Sequence, residues 1–169
     1  MILAPSGGRG ADSLDFVMQP QMQSQWCWAA TSSSISKFFE PTSTWTQCAV
    51  ASACLGQTCC NPAPSSSCNV KGQLEQALGH TGNLNHHHWN PLPQPEIEQE
   101  LSAGRPVCCH IQWIGSGDGH FVAVVGYDNA NDDVDVADPL YGDSMVPYPT
   151  FVANYRGNGA WDYTYHTQQ

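Results

Sequence analysis

A cysteine between two tryptophans opens the chemistry of this chain. In Gln21-Met22-Gln23-Ser24-Gln25-Trp26-Cys27-Trp28-Ala29-Ala30 the Cys27 thiol stands at the start of a predicted helix, with Gln21 six positions upstream. Far downstream, Gly119-His120-Phe121 heads an apolar strand, and Asp138-Pro139 closes the strand after it. Thiol, imidazole, carboxylate and amide donor are the parts of a thiolate-based acyl-transfer site. The first turn of a helix leaves N–H groups unpaired and gathers partial positive charge, which favours thiolate over thiol. The thiolate is the nucleophile, and a nearby imidazolium stabilises it further.

Local elements must bring these groups together. Ser24 can cap a helix over 25–39, carrying Cys27, Ala30, Ile35 and Phe38 at near-helical spacing, and Pro41 stops it. The strand over 121–127 runs into an Asp/Asn-rich turn, 128–133, and returns over 134–137. Opposite residues of an antiparallel hairpin have a constant position sum, and the midpoint of His120 and Asp138 falls inside that turn. The carboxylate is therefore expected beside the ring, fixing its tautomer and leaving the other nitrogen for the thiol. Asp118, Asp135 and Asp143 are substitutes if the register slips by a residue or two. The Gln21 carboxamide, with the Cys27 backbone N–H, can cradle the oxyanion of a tetrahedral intermediate, and Gln19, Gln23 and Gln25 compete for that role.

Elsewhere, Asn69 can cap a short helix over 70–78 with Gly79 beyond it, and Pro95 opens another that Gly104 ends. Strands are expected over 107–113, 121–127, 134–137 and 160–166, with a short helix or turn around 150–155. Helices first and an antiparallel sheet second make an α+β chain. A length of 169 residues fits one domain, 1–169, with a flexible arm over 1–15.

Fifteen acidic against five basic residues give a net charge of -10, which argues against nucleic acid and anionic membranes as partners. No apolar run approaches the roughly 20 residues of a spanning helix. Met1-Ile2-Leu3 is too short and lacks the basic flank of a secretion signal. Five of the eight cysteines (Cys48, Cys54, Cys59, Cys60, Cys68) crowd a Ser/Pro/Asn-rich stretch, 42–68, read as a loop held by at least one disulfide. The Cys59-Cys60 doublet fits the paired spacing of a zinc site poorly. Cys108 and Cys109 share a strand and must face opposite sides. His86-His87-His88 is read as a solvated loop: consecutive residues of an extended chain cannot all point one way, and no acid cluster joins them. Residues 129–133 lack the glycine and final glutamate of a calcium loop, and read as a turn.

The ordered set Gln21, Cys27, His120, Asp138 resembles the papain-like cysteine peptidases, in particular their compact bacterial branch akin to bacteriocin-leader peptidases and secreted effector proteases. Trp28-Ala29-Ala30 after the nucleophile, Gly104-Arg105-Pro106-Val107, Gly119-His120-Phe121-Val122 and Asp138-Pro139 carry the likeness from residue 16 to about 142. Asp138 departs from the large plant and lysosomal enzymes, which have asparagine there, and the cysteine-rich insert has only partial parallels. The resemblance implies an N-terminal helical half, bearing the nucleophile, packed against a C-terminal antiparallel sheet. It implies a secreted bacterial endopeptidase, monomeric, acting on a protein or peptide through a Cys27-His120-Asp138 triad and a thioester, without metal or organic cofactor. It favours Gln21 as the oxyanion donor. An effector or toxin role and general digestion suit it equally. Two alternatives stand: an acyl transferase or deamidase with the same triad, and a disulfide-stapled secreted binding module in which Cys27 is oxidised or inert.

Overall fold

The helix that carries Cys27, α1 (Cys27–Phe39), is buried at every position from Cys27 to Ser36, so small side chains suit its whole circumference. The serines meet this burial by bonding backbone and neighbours: Ser34 Oγ donates to the Ala30 carbonyl at 2.7 Å and Ser33 Oγ to the Trp45 carbonyl at 2.7 Å, whereas the buried Thr31 hydroxyl has no hydrogen-bond partner. The helix begins two residues later than expected, and its N-cap is Trp26 rather than Ser24. Both serine and asparagine caps expected from sequence are spent on each other. Asn69 donates to Ser24 Oγ at 2.9 Å, and its Oδ1 accepts the Gln25 N–H at 2.9 Å. In consequence α3 (Leu74–Thr81) also starts late, runs through Gly79, and ends at Gly82 with φ +82.

This structure is a computed structural model and describes residues 13–169. The arm expected over 1–15 lies outside the described residues up to 12. Residues 13 and 14 are fixed: Ser13 Oγ donates to Asp135 Oδ2 at 2.7 Å and the Leu14 N–H to the Val125 carbonyl at 2.8 Å. The stretch 42–68 is not the featureless loop expected. It contains α2 (Gln47–Leu55), capped by Thr46 and closed by Gly56 in the left-handed region, and a short 3-10 turn, Ser66–Cys68. Two disulfides, Cys48–Cys60 and Cys59–Cys68, fasten it. Cys54 stays a free thiol, pushed up to about 11 by burial.

The six strands are all antiparallel, in the order β1-β6-β2-β3-β4-β5. They are β1 (Leu84–Trp89), β2 (Val107–Trp113), β3 (Gly119–Asp128), β4 (Asp133–Ala137), β5 (Ser144–Pro147) and β6 (Gly159–Thr167). The edge strands β1 and β5 were not expected. The His86-His87-His88 segment, read as a loop, is β1, paired along its length with β6. Helices α4 (Gln94–Ser102) and α5 (Tyr148–Asn154) complete the chain.

Alternation along the strands splits the core in two. Phe121, Ala123, Val125 and Cys108 face α1, α2 and α3, whereas Val122, Val124 and Cys109 pack with Ile97, Leu101 and Phe151 of α4 and α5. The neighbours Cys108 and Cys109 thus lie on opposite faces, both buried and both unbridged. The helical half packs on the sheet as expected, and the sheet's second face carries two further helices.

Candidate active site

The start of α1 abuts β3. The first intrahelical backbone bond runs from the Ala30 N–H to the Trp26 carbonyl at 2.9 Å, so the amides of Cys27, Trp28 and Ala29 precede the ladder. Two indoles fix this end. Trp26 Nε1 donates to the Cys68 carbonyl at 2.7 Å and Trp28 Nε1 to the Val70 carbonyl at 3.0 Å. The chain at Cys68, fixed by its disulfide, and just beyond it at Val70 therefore anchors both tryptophans that flank Cys27. Cys27 is a free thiol, 9% exposed.

His120 is the second residue of β3, and its ring Nε2 lies 2.8 Å from Asp138 Oδ1. Near the open end of the β3–β4 hairpin the partner sum is 260, from Ala123 opposite Ala137. Extended by one residue, that register sets Asp138 against Val122, two along from His120 on the same face. The pairing expected from the turn midpoint was thus off by two positions, but parity was kept and the two side chains meet. A register shift between Val124 and Gly126 accounts for the change along the ladder.

The carboxylate is saturated with donors. Asp138 Oδ1 accepts the Leu140 and Tyr141 N–H groups at 2.8 and 3.0 Å, and Oδ2 accepts the Tyr155 hydroxyl at 2.7 Å. Arg156 Nε stands 3.9 Å from Oδ2, its guanidinium over the Tyr141 ring, on a residue held at φ +50. Burial opposes the charge on Asp138. The His120 hydrogen bond and charge, with the Tyr141 amide and Tyr155 hydroxyl, outweigh it and hold the acid below its ordinary range. Burial likewise opposes charge on His120. Hydrogen bonds to Asp138 and Cys27, and their negative charge, reverse that effect and raise the ring to about 9. With Nε2 turned to Asp138, Nδ1 remains for the Cys27 sulfur. Trp113 lies nearly parallel to the ring, centroids 5.9 Å apart. Tyr155 and Arg156 gave no signal in the sequence, because only the α5–β6 connection brings them to Asp138.

The substitutes for Asp138 are engaged elsewhere or placed elsewhere. Asp118 pairs with Lys71 at the surface, Asp135 accepts from Ser13, and Asp143 precedes β5. The glutamines divide differently. Gln21 donates its carboxamide hydrogens to the Gln23 and Ser24 carbonyls at 3.0 and 2.8 Å, and its buried Oε1 has no hydrogen-bond partner. Its backbone N–H donates to the Pro139 carbonyl at 2.9 Å, tying the approach to α1 to the residue after Asp138. Gln19 bonds Ser33 and Ser34, and Gln23 bonds the Ser65 carbonyl. Gln25 lines the site beside Cys27.

Two open cavities meet at Cys27, Gln25 and Gly119. One, of about 490 Å³, is walled by Trp28, Trp89, Phe121 and Tyr163, with Glu75, His110 and Asp162 among its polar groups. The other, of about 580 Å³, reaches His120, Trp113, Tyr141 and Arg156. A thiol beside an imidazole paired to a buried carboxylate, at the join of two grooves, suits nucleophilic attack on a carbonyl. The only three-residue group of metal-ligating side chains among the described residues, His86, His88 and His166, lies apart from these groups on β1 and β6.

Solved structures share the fold. The peptidase domain of Streptococcus ComA, described as a bifunctional ABC transporter involved in a quorum-sensing pathway, superposes with a TM-score of 0.55 at 12% identity, over 93% of this chain and 98% of that one. A double-glycine-motif protease from an AMS/PCAT transporter, solved in complex with its leader peptide, gives 0.52 at 15% identity, over 95% and 96%. Comparison with curated proteins returned no match. The model of the Peptidase_C39 like family matches residues 13–168, nearly the whole of the described chain, and the protein therefore belongs to that family of papain-like cysteine peptidases.

Proposed function

We propose that the chain hydrolyses internal peptide bonds, with Cys27, His120 and Asp138 as the catalytic triad. The observation that carries this reading is the line of contacts from the Cys27 sulfur through His120 to Asp138 and Tyr155, ending at a two-sided cleft. The Cys27 thiolate attacks the peptide carbonyl, and the C–N bond breaks as His120 gives its proton to the departing amine. A thioester forms. Water, deprotonated by His120, then attacks it, and the carboxylic acid leaves as the thiol is restored. Asp138 holds the imidazole in orientation throughout.

The Cys27 amide is the first oxyanion donor. Gln21 supplies the second by turning one N–H from the Gln23 or Ser24 carbonyl to the developing charge, since catalytic bonds often tighten only in the complex. Gln21→Ala is then expected to lower kcat by on the order of 10²–10³, whereas Gln25→Ala mainly raises KM. The reverse result would assign the donor to Gln25. The two disulfides and the acidic surface suit an extracellular setting.

Mass spectrometry of an unfolded protein substrate after incubation tests the reaction. New peptide termini produced by the wild type and absent with Cys27→Ala are expected. Glutamine-to-glutamate conversion or amide transfer without new termini would replace hydrolysis by deamidase or transferase chemistry.

A further inference from the structure

At the outer edge of the sheet His86 on β1 pairs directly with His166 on β6. His88 lies two residues on and so shares their face, while His87 turns to the other face and meets the Tyr163 hydroxyl at 2.6 Å. The His86 and His166 rings stack at 3.9 Å, the His88 ring is 5.2 Å from His166, and one nitrogen from each lies within 4.8 Å of the others.

The hydrogen-bond network fixes the tautomers. The Trp89 carbonyl can only accept, so His88 Nδ1, 2.8 Å away, carries the proton and Nε2 is bare. Asn85 Oδ1 does the same for His86 Nδ1 at 2.7 Å. His88 Nε2 then faces His166 Nε2 at 3.0 Å. His166 Nδ1 is buried without a hydrogen bond, and the nearest acid oxygen, Glu100 Oε2, is 3.7 Å off. A proton on His166 Nδ1 sets two bare lone pairs against each other. A proton on Nε2 instead leaves Nδ1 bare and turned to a carboxylate with nothing to donate. Neither neutral tautomer of His166 satisfies the cluster.

We propose that His86, His88 and His166 form a site for a divalent transition-metal ion of the zinc class, with a fourth position open to water on the exposed His86 side. A cation takes up all three Nε2 lone pairs and leaves the His166 Nδ1–H for Glu100, the carboxylate support usual behind a histidine ligand. Ligand nitrogens on tetrahedral zinc are roughly 3.4 Å apart, within the span of this cluster. Imidazole donors suit zinc, copper and nickel over magnesium or calcium. The acidic chain, with net charge -10, favours cation capture. Bound metal clips edge strand β1 to β6, and β1 ends in Trp89, on the wall of the cavity beside Cys27.

Calorimetric titration of the full chain with Zn²⁺, in a Cys27→Ala background to remove the competing thiol that lines the cleft, tests the site. One ion per chain is expected. His86→Ala, at a surface position that folding does not depend on, and His88→Ala should each weaken binding at least about tenfold. His87→Ala, on the opposite face, should leave it unchanged. Absence of saturable binding, or binding that survives both His86→Ala and His88→Ala, would overturn the proposal. Thermal unfolding gives a second readout: Zn²⁺ should raise the midpoint of the wild type and not that of His86→Ala.

Discussion

In the proposed triad His120 and Asp138 act as one hydrogen-bonded unit, and pH should report on it. Thiolate chemistry needs the imidazolium, so the alkaline limb of kcat/KM should follow His120, raised to about 9. Asp138→Asn removes the hydrogen-bonded anion that helps hold the ring charged. The alkaline limb should then fall by roughly one unit or more toward the ordinary histidine value near 6.5, with activity lower by up to about 10⁴-fold. Tyr155→Phe, which strips one donor from Asp138 Oδ2 but leaves the carboxylate ionised, should move the limb far less. Stability follows the same signs. The His120 contribution is whole below its unfolded value near 6.5 and disappears as pH rises through about 9. That of Asp138 is present above the unfolded carboxylate value of 3.8 and disappears as pH falls through its lowered one. Melting midpoints recorded across pH for wild type and Asp138→Asn should therefore differ most between these limits. A profile unmoved by Asp138→Asn would remove Asp138 from the role proposed for it.

Elements decide how well Cys27, the proposed nucleophile, is held, and here the close approach of Gly72 to Trp28 matters most. A Cβ at Gly72 would lie 2.3 Å from Trp28 Cδ2, inside a ring that is almost wholly buried. Gly72→Ala must therefore push the indole or the 70–73 backbone, at a cost of about 1–3 kcal/mol. Because Trp28 adjoins Cys27, a shift near 1 Å should also cost on the order of 10² in rate. Gly79→Ala, inside α3 with open space around it, should leave both melting and turnover close to wild type. What could be read from sequence at this scale was what local signals carry: a helix after Cys27, the β3–β4 hairpin, and alternate faces for Cys108 and Cys109. The caps failed because Ser24 and Asn69 bond each other across 45 positions. The cysteines hid α2, whose Ala-rich run is a fair helix former. Strand β1 escaped because it is a polar edge strand whose pairing with β6 is invisible without the fold. The parity of a hairpin survived a two-residue error in its register, and this is why His120 and Asp138 could be linked in advance while Tyr155 could not.

At the scale of the molecule, the cleft runs between the start of α1 on one side and the ends of β2 and β3 on the other. Lys71 and Asp118 pair across its rim, but both side chains are more than half exposed, at 64% and 59%, so the bridge contributes little stability and does not latch the halves. Cavities of about 490 and 580 Å³ leave Cys27 with room for substrate on both sides. An exopeptidase needs a wall or a charged group to receive a chain terminus, whereas this geometry admits a strand passing through. A decapeptide acetylated at one end and amidated at the other should therefore be cut internally, at a rate close to that of the free peptide, with two fragments resolved by chromatography and mass spectrometry. The acidic groups Glu75 and Asp162 in the aromatic cavity should favour a version with basic residues on that side of the cut over one with acidic residues, and added salt should shrink the difference. If only the unblocked peptide were consumed, one residue at a time from an end, cleavage inside a through-running chain would have to be given up in favour of terminus recognition.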